Sequence, residues 1–181
     1  MMEIRHRVPL KLPAAQIDLG AWLYTLTNDA YRRCCNRRLM KNLALGYYTE
    51  HGKRGMVNVE WLAVALTVHF FLEQTAAPHA IAMHSGYSRL YVLGCIPLSL
   101  SVTRELWIEP VASREVILYG RTHITYHNRL LGLLAGTCPR RVAAKMYFAE
   151  ELSGFARDIL AKSTIAHRDP SFTSSSTNAP D

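Results

Sequence analysis

Residues 56–74 are the part of the chain that most restricts its fold. Their sequence, MVNVEWLAVALTVHFFLEQ, is almost unbroken apolar, and Glu60 and His69 are its only ionisable interior residues. Such a segment must be buried on most sides, because its exposure would drive association. Periodicity alone does not separate a buried helix from a buried strand. The apolar run 43–50 and the glycine-containing loop 51–55 resemble a hairpin and favour a long, bent strand, with a central helix as the alternative.

Length and composition indicate one globular domain. The chain has 181 residues, of which 49 % are apolar and 19 % charged, which is enough for a sizeable core. We predict a single domain over residues 1–163 and a disordered tail over residues 164–181, where Ser, Thr, Pro and Asn dominate. The four cysteines form no disulfide framework and no signal peptide is recognised, so we expect a cytoplasmic protein. Glu60 and His69 argue against a membrane span in residues 56–74.

The net charge of +7 raises the question of an anionic partner. No nucleic-acid-binding signature accompanies this charge, so a nucleic-acid partner is not expected. An acidic acyl carrier protein is an alternative that could dock on the basic clusters. No cofactor-binding or metal-binding motif is present, so we expect neither a cofactor nor a metal. The basic clusters are Arg32-Arg33, Arg37-Arg38 with Lys41, Lys53-Arg54, and Arg140-Arg141 with Lys145.

The order of predicted elements indicates an α+β fold. Alternating apolar residues predict a strand over residues 2–10, and two short helices follow between residues 14 and 35. Clean alternation over residues 98–108 and again over residues 114–127 is the strongest hairpin signal in the chain. An apolar stripe over residues 140–162 predicts a long C-terminal helix, with Met146 in the stripe and Glu151 beside it. We therefore expect a curved antiparallel sheet with this helix packed against it.

This order of elements resembles the helix-grip architecture of the START-like superfamily, which includes lipid-transfer domains and aromatic polyketide cyclases. The nearest local similarity is IRHRVPLKLPAAQIDLGAWLYTLTNDAY, a strand, a Pro-Ala break and then Trp22 on a helix. In that superfamily the curved sheet and the long helix enclose an apolar cavity. The resemblance therefore implies a cavity here, with a hydrophobic small molecule as the ligand.

The chain also resembles, as a rival, the hot-dog fold of acyl-thioester hydrolases and dehydratases. Residues 56–74 would then be the central helix, and EVILYGRTHITYHNRLLGLLAGT the closing hairpin. Glu60 would correspond loosely to the acidic helix residue of the dehydratases. The usual histidine context of those enzymes is absent, and the fold leaves the predicted helix over residues 140–162 unexplained.

The candidate site residues are polar groups on predicted apolar faces, where an unpaired polar group costs several kcal/mol. Arg104 shares a strand face with aliphatic residues, and it is either a structural ion-pair partner or a cation that holds a ligand oxygen. His69 is either a packed core histidine or a general acid–base group with a pKa near neutrality. Glu60 is a surface residue at a strand end or a catalytic carboxylate. Tyr126 and Trp61 are candidate ligand contacts, and Trp61 shares a face with His69 if residues 56–74 form one strand.

The leading functional hypothesis is a domain that binds a hydrophobic small molecule of polyketide, lipid or aromatic type and acts as a biosynthetic cyclase, dehydratase or isomerase. Arg104 or Tyr126 would stabilise a developing oxyanion, and His69 or Glu60 would move protons. One alternative is a non-catalytic carrier or sensor, in which the same groups only orient the ligand. The other is an acyl-thioester hydrolase or dehydratase on a hot-dog scaffold.

Overall fold

The computed structural model describes residues 1–35, 40–62, 65–92, 96–128 and 138–168. These residues form one seven-stranded sheet, whose strands are β1 (Met2–Leu10), β2 (Met40–Glu50), β3 (Lys53–Leu62), β4 (Ala65–Ala77), β5 (Ala80–Val92), β6 (Ile96–Ala112) and β7 (Glu115–Tyr126). A short 3-10 turn and three α-helices complete the described structure. They are the turn Ala14–Gln16, α1 (Leu19–Tyr24), α2 (Asn28–Cys35) and α3 (Cys138–Arg168).

The sheet is antiparallel throughout, in the order β1-β7-β6-β5-β4-β3-β2. Successive strands from β2 to β7 are neighbours in the sheet. β1, the first strand in sequence, pairs with β7, the last one, so β1 and β2 form the two edges of the sheet. The predicted hairpin is confirmed as β6 and β7, with Arg104 opposite Thr122. The α+β helix-grip arrangement of a curved sheet and a C-terminal helix is confirmed.

The prediction of one bent strand over residues 56–74 is wrong, although its choice of strand over helix is right. The chain reverses between Leu62 and Ala65, which are partners in the register, so the segment supplies the antiparallel neighbours β3 and β4. Because of this reversal, Asn58 lies opposite His69. The central helix of a hot-dog fold is absent from the described part of this segment, and that rival fold is excluded.

The three helices pack on one face of the sheet, which we call the inner face. Asp18 caps α1 by accepting a 2.8 Å hydrogen bond from the backbone N–H of Ala21, as expected for an acidic N-cap. Trp22 of α1 packs edge-on against Phe155 of α3, with ring centroids 5.2 Å apart. The main core lies between this layer and the sheet, and it includes Leu118 and Ile159.

The C-terminal helix is longer than predicted. In its first turns, the buried side chains are not those of the predicted apolar stripe. It continues to Arg168, so the domain boundary predicted at residue 163 falls inside α3, and residues 169–181 lie outside the described residues. Met146, which was expected in the apolar stripe, is 62 % exposed, whereas Glu151 is only 2 % exposed. Of the helices in the described residues, none combines the length and apolar character that a membrane span requires.

Candidate functional site

Four side chains from four different elements meet on the inner face of the sheet. Glu60 comes from β3, Arg104 from β6, Tyr31 from α2 and Glu151 from α3. Strand alternation turns Glu60 and Arg104 inward, because their sequence neighbours on either side face outward. Tyr31 and Glu151 reach the same point from helices that pack on that face. We call these four residues the buried polar cluster.

The cluster is held together by a buried ion pair. Nη1 of Arg104 lies 2.8 Å from Oε1 of Glu151, and Nη2 lies 3.8 Å from Oε1 of Glu60. The exposed fractions of the Arg104, Glu60 and Glu151 side chains are 15 %, 4 % and 2 %. Two buried carboxyl groups therefore share one guanidinium, which leaves one excess negative charge unless a carboxyl group keeps its proton.

The hydroxyl of Tyr31 links the two carboxyl groups. Its oxygen lies 3.0 Å from Oε1 of Glu60 and 2.8 Å from Oε1 of Glu151, and it accepts a 2.9 Å hydrogen bond from Nδ2 of Asn58. A phenol has one hydrogen and can donate to only one carboxylate, so the second contact requires a proton on the other carboxyl group. Burial raises the pKa of Glu151, although Arg104 acts in the opposite direction. Glu151 is thus suited to hold this proton.

Two further polar side chains contact the cluster from its edges. Asn58 donates from Nδ2 to Glu60 as well as to Tyr31, and the hydroxyl of Tyr147 donates to Oε1 of Glu60 over 3.3 Å. Burial raises the pKa of Tyr31 and of Tyr147 above that of a free phenol, so both keep their protons near neutral pH. Glu60 is therefore surrounded by donors.

A small cavity lies beside the cluster. It has a volume of about 50 Å³, and its lining includes Arg104, Tyr31 and Glu151 together with apolar side chains such as Phe148 and Phe155. At about 10–15 Å³ for each water position, it has room for a few water molecules. Nε of Arg104 is buried and has no hydrogen-bond partner among the described residues. One donor of the guanidinium is thus unsatisfied in a residue that lines the cavity.

His69 lies on the inner face but outside the lining of this cavity. Its Nδ1 is 2.8 Å from the hydroxyl of Ser88, and its ring stacks on Phe71 with centroids 5.2 Å apart. Burial, assisted by the charge of Arg104, lowers the pKa of His69 to about 3. A pKa this low favours the packed core histidine over the acid–base group, because a neutral imidazole of this kind binds a proton weakly at physiological pH.

The structure separates the remaining two candidates from the cluster. Trp61 follows Glu60 on β3 and so lies on the opposite, outer face, where it is 38 % exposed. The expected shared face with His69 assumed one continuous strand, and the reversal between β3 and β4 removes it. Tyr126 lies at the end of β7, half-buried against the core, and is not among the residues that line the cavity.

Tyr31, Asn58, Tyr147 and Glu151 were not singled out from the sequence, although two signals for them exist. Glu151 lies three residues after Phe148 and four before Phe155, so all three share one face of a helix. Asn58 precedes Glu60 by two residues and therefore shares its strand face. Nothing in the sequence indicated that Tyr31 meets these groups, since the contact depends on how α2 packs.

Comparison with known proteins identifies proteins that share the fold. No protein-family model matches the sequence, and no curated protein matches it. Among solved structures, the ZhuI aromatase/cyclase from Streptomyces sp. R1128 has a TM-score of 0.56 at 12 % identity, over 94 % of this chain and 98 % of that one. A conserved protein from Geobacillus kaustophilus has a TM-score of 0.55 at 10 % identity, over 91 % and 97 % of the two chains.

A second aromatase/cyclase gives a similar match. The di-domain aromatase/cyclase StfQ of the steffimycin biosynthetic pathway has a TM-score of 0.54 at 15 % identity, over 92 % of this chain and 52 % of that one. Identities this low show a shared fold and do not transfer an activity. With its curved antiparallel sheet and long C-terminal helix, the protein has a helix-grip fold, which it shares with these aromatase/cyclases.

Proposed function

We propose that the protein binds a hydrophobic small molecule with a carbonyl oxygen between the sheet and α3, and converts it by acid–base chemistry as a cyclase, dehydratase or isomerase. The observation that carries this proposal is the buried polar cluster, in which two carboxyl groups, one phenol and one guanidinium meet beside an apolar cavity. The shared fold of the aromatase/cyclases ZhuI and StfQ supports the same class of ligand.

Arg104 is the group best suited to hold the carbonyl oxygen. It lines the cavity, and its Nε–H lacks a protein acceptor. A ligand oxygen that accepts this hydrogen bond gains more from it as negative charge develops, because the bond then becomes charge-assisted. Since the Glu60 carboxylate already offsets the charge of Arg104, the site suits a neutral carbonyl better than a carboxylate.

Glu60, Tyr31 and Glu151 supply the proton transfers. The Glu60 carboxylate removes a proton from the carbon next to the carbonyl, and Arg104 stabilises the enolate that forms. Protonated Glu151 then gives its proton to a departing hydroxyl group, so that water leaves and a carbon–carbon double bond forms. Tyr31 contacts both carboxyl groups and can return the proton between them, which restores the starting state.

The size of the cavity sets a further condition on this function. Space for a few water molecules does not hold a molecule of polyketide size. Binding therefore requires lining side chains such as Phe148 and Phe155 to move. An acyl carrier protein as the source of the ligand stays a prediction, since several basic side chains expected to dock it lie outside the described residues.

Native mass spectrometry of protein purified from its own host tests the ligand class directly. We expect a retained aromatic or polyketide-like molecule. Glu60→Gln should abolish its conversion while retaining it in the complex. Glu73→Gln is the matched control, because Glu73 pairs with Tyr24 at 2.6 Å and with Arg54 at 2.9 Å but does not line the cavity. A bound ligand that the wild-type protein does not convert would identify a carrier or sensor. A protein that retains no ligand and binds no apolar dye would contradict the proposal.

A further inference from the structure

His6 of β1 lines the cavity described above, and the proposed reaction leaves it without a role. Strand alternation places it on the inner face between Ile4 and Val8, because Arg5 and Arg7 project from the outer face. Ile4 is 2 % exposed, whereas His6 is half-buried. β1 is an edge strand, so the imidazole lies where the inner face meets solvent.

The side chains next to His6 in the cavity are apolar. Its partner in the register is Gly120 of β7, which has no side chain, and Leu152 of α3 packs there instead. A Cβ at Gly120 would lie 3.0 Å from Cδ1 of Leu152 and 3.4 Å from Cδ2 of Leu106. None of these three residues offers His6 a polar side chain.

His6 has no hydrogen-bond or ion-pair partner in the part of the chain that the structure describes. The nearby carboxylates are paired on the outer face, where Glu3 lies 3.5 Å from His123 and Glu105 pairs with Arg121. Glu105 and Arg121 border the cavity, but strand alternation points their side chains away from it. An imidazole has one N–H donor when neutral and two when protonated. The donors of His6 are thus free for a ligand.

Arg104 and His6 lie far enough apart to hold two ends of one molecule. In the register, Arg104 of β6 is opposite Thr122 of β7, and Thr122 is two residues from Gly120, the partner of His6. Two strand spacings of about 4.8 Å and a shift of two residues, about 6.7 Å, place the Cα atoms of Arg104 and His6 about 12 Å apart. Both residues line the same cavity, so a ligand that lies along it contacts both.

We propose that His6 binds an acidic group of the ligand, so that the protein takes a hydrophobic carboxylic acid whose neutral carbonyl lies at Arg104. This inference rests on the proposed function, because it concerns the other end of the same ligand. At Arg104 the Glu60 carboxylate already offsets the guanidinium, whereas no described carboxylate pairs with His6. A protonated imidazole and a carboxylate form a charge-assisted hydrogen bond, which is about twice as strong as a neutral one.

Two further features favour an acid over an alcohol at this end of the cavity. The net charge of +7 attracts anions from solution. A carboxylate beside the half-buried His6 keeps part of its hydration, so its burial costs less than it would beside Arg104. The helices present Tyr31 and Glu151 to the same cavity, and burial raises the pKa of both, which disfavours their negative forms. Neither group therefore repels an anion at His6 strongly.

Two dyes of the same shape test the proposal on the full chain. The sulfonate of 1-anilinonaphthalene-8-sulfonate stays ionised at the pH values used, and N-phenyl-1-naphthylamine is the uncharged analogue of this dye. From pH 7.5 to pH 5.5 we expect the affinity for the sulfonate to rise about three- to tenfold, because the charge of an imidazole changes between about pH 5 and 8. The affinity for the uncharged dye should stay the same. Fluorescence titration measures both affinities.

His6→Gln should remove the pH dependence of sulfonate binding, because glutamine takes up no proton, while the protein still binds the uncharged dye. His6→Lys is a second variant, and it should bind the sulfonate tightly at both pH values, because its ammonium group stays charged. His123→Gln is the matched control. His123 lies on the neighbouring strand β7 but on the outer face, 3.5 Å from Glu3 and outside the lining of the cavity, so the pH dependence should persist.

The possible failures separate this inference from the proposed function. Binding of both dyes with a pH dependence that is absent from the wild type, or that survives His6→Gln, would overturn the role of His6 and leave the proposed function intact. Failure of both dyes to bind would contradict the proposed function, and this inference with it. Circular dichroism at both pH values checks that each variant is folded. If His6→Gln is unfolded, His6→Lys decides, and sulfonate binding at pH 7.5 no tighter than that of the wild type would overturn the proposal.

Discussion

Nη1 of Arg104 on β6 lies 2.8 Å from Oε1 of Glu151 on α3, so a buried, charge-assisted hydrogen bond connects the centre of the sheet to the C-terminal helix. Burial of charge is costly, and the attraction between opposite charges repays that cost only when the remaining donors and acceptors are also satisfied. Here Tyr31 and Glu60 satisfy part of the requirement, and Nε of Arg104 is left over. The same arrangement can stabilise the fold and, in the function proposed above, hold a ligand oxygen.

Arg104→Leu should lower the free energy of unfolding by about 3–5 kcal/mol, because it leaves Glu151 and Glu60 buried without a cation. Arg54→Leu is the matched control. Arg54 also lies 2.9 Å from a glutamate, Glu73, but its side chain is 52 % exposed, so its loss should cost about 1 kcal/mol or less. Urea unfolding at neutral pH measures both values. Equal losses would show that burial of the Arg104 pair contributes nothing.

Tyr31→Phe should cost more stability than Tyr24→Phe. The Tyr31 hydroxyl contacts Glu60, Glu151, Asn58 and Arg104, so its removal leaves several buried groups short of a partner, at about 1–3 kcal/mol. The hydroxyl of Tyr24 donates to the half-buried Glu73, and its loss should cost about 1 kcal/mol. Chemical denaturation of the two variants compares them. A smaller loss of stability for Tyr31→Phe than for Tyr24→Phe would mean that water or a rearranged Glu151 replaces the hydrogen bonds of the Tyr31 hydroxyl.

His69 should make stability fall as the pH is lowered below 6.5. Its pKa is about 3 in the folded protein and 6.5 in the unfolded chain. Between these values the unfolded chain binds a proton that the folded protein does not, with a slope of at most about 1.4 kcal/mol per pH unit. Above pH 6.5 the contribution is constant. His69→Gln should remove this part of the slope.

Thermal unfolding of the wild type and of His69→Gln across pH 4.5 to 7 separates this contribution, because all other groups titrate in both proteins. Parallel stability curves would show that His69 is protonated in the folded state at the same pH as in the unfolded chain.

Gly154→Ala should destabilise the protein, although alanine is normally favoured over glycine in a helix by about 1 kcal/mol. A Cβ at Gly154 would lie 2.4 Å from the carbonyl oxygen of Cys34 and 2.7 Å from its Cα, so α2 and α3 would have to separate. Overpacking of this kind costs about 1–3 kcal/mol. Gly46→Ala is the control, since nothing lies within 4 Å of its added Cβ. A more stable Gly154→Ala variant would contradict the close approach of the two helices.

The sequence was sufficient for the fold where alternation was clean. β6 and β7 alternate between apolar and polar residues along their length, which placed Arg104 on the inner face and defined the hairpin. In residues 56–74 both strand faces are rich in apolar residues, and the reversal between Leu62 and Ala65 carries no glycine, proline or asparagine. Periodicity therefore had no turn signal to detect, and Trp61 was placed on the face of His69.

The candidate site was less accessible to prediction, because it depends on how helices pack on the sheet. Glu60 and Arg104 could be recognised as polar groups on strands, but their partners Tyr31 and Glu151 lie on helices. Glu151 looked like one of several charged residues beside an apolar stripe. The stripe is in fact rotated toward Glu151, and Met146 lies outside it.

The pairing of β1 with β7 also governs when the protein can fold during its synthesis. Strands β2 to β7 can add to the sheet one hairpin at a time as they leave the ribosome, since each pairs with the strand before it. β1 is the first strand to be made, yet its partner β7 is the last strand to be made. The helix α3, which packs on β1, follows β7 in the chain. Closing so long a loop slows folding. On a nascent chain that ends before residue 115, residues 2–10 therefore stay open to proteases and chaperones.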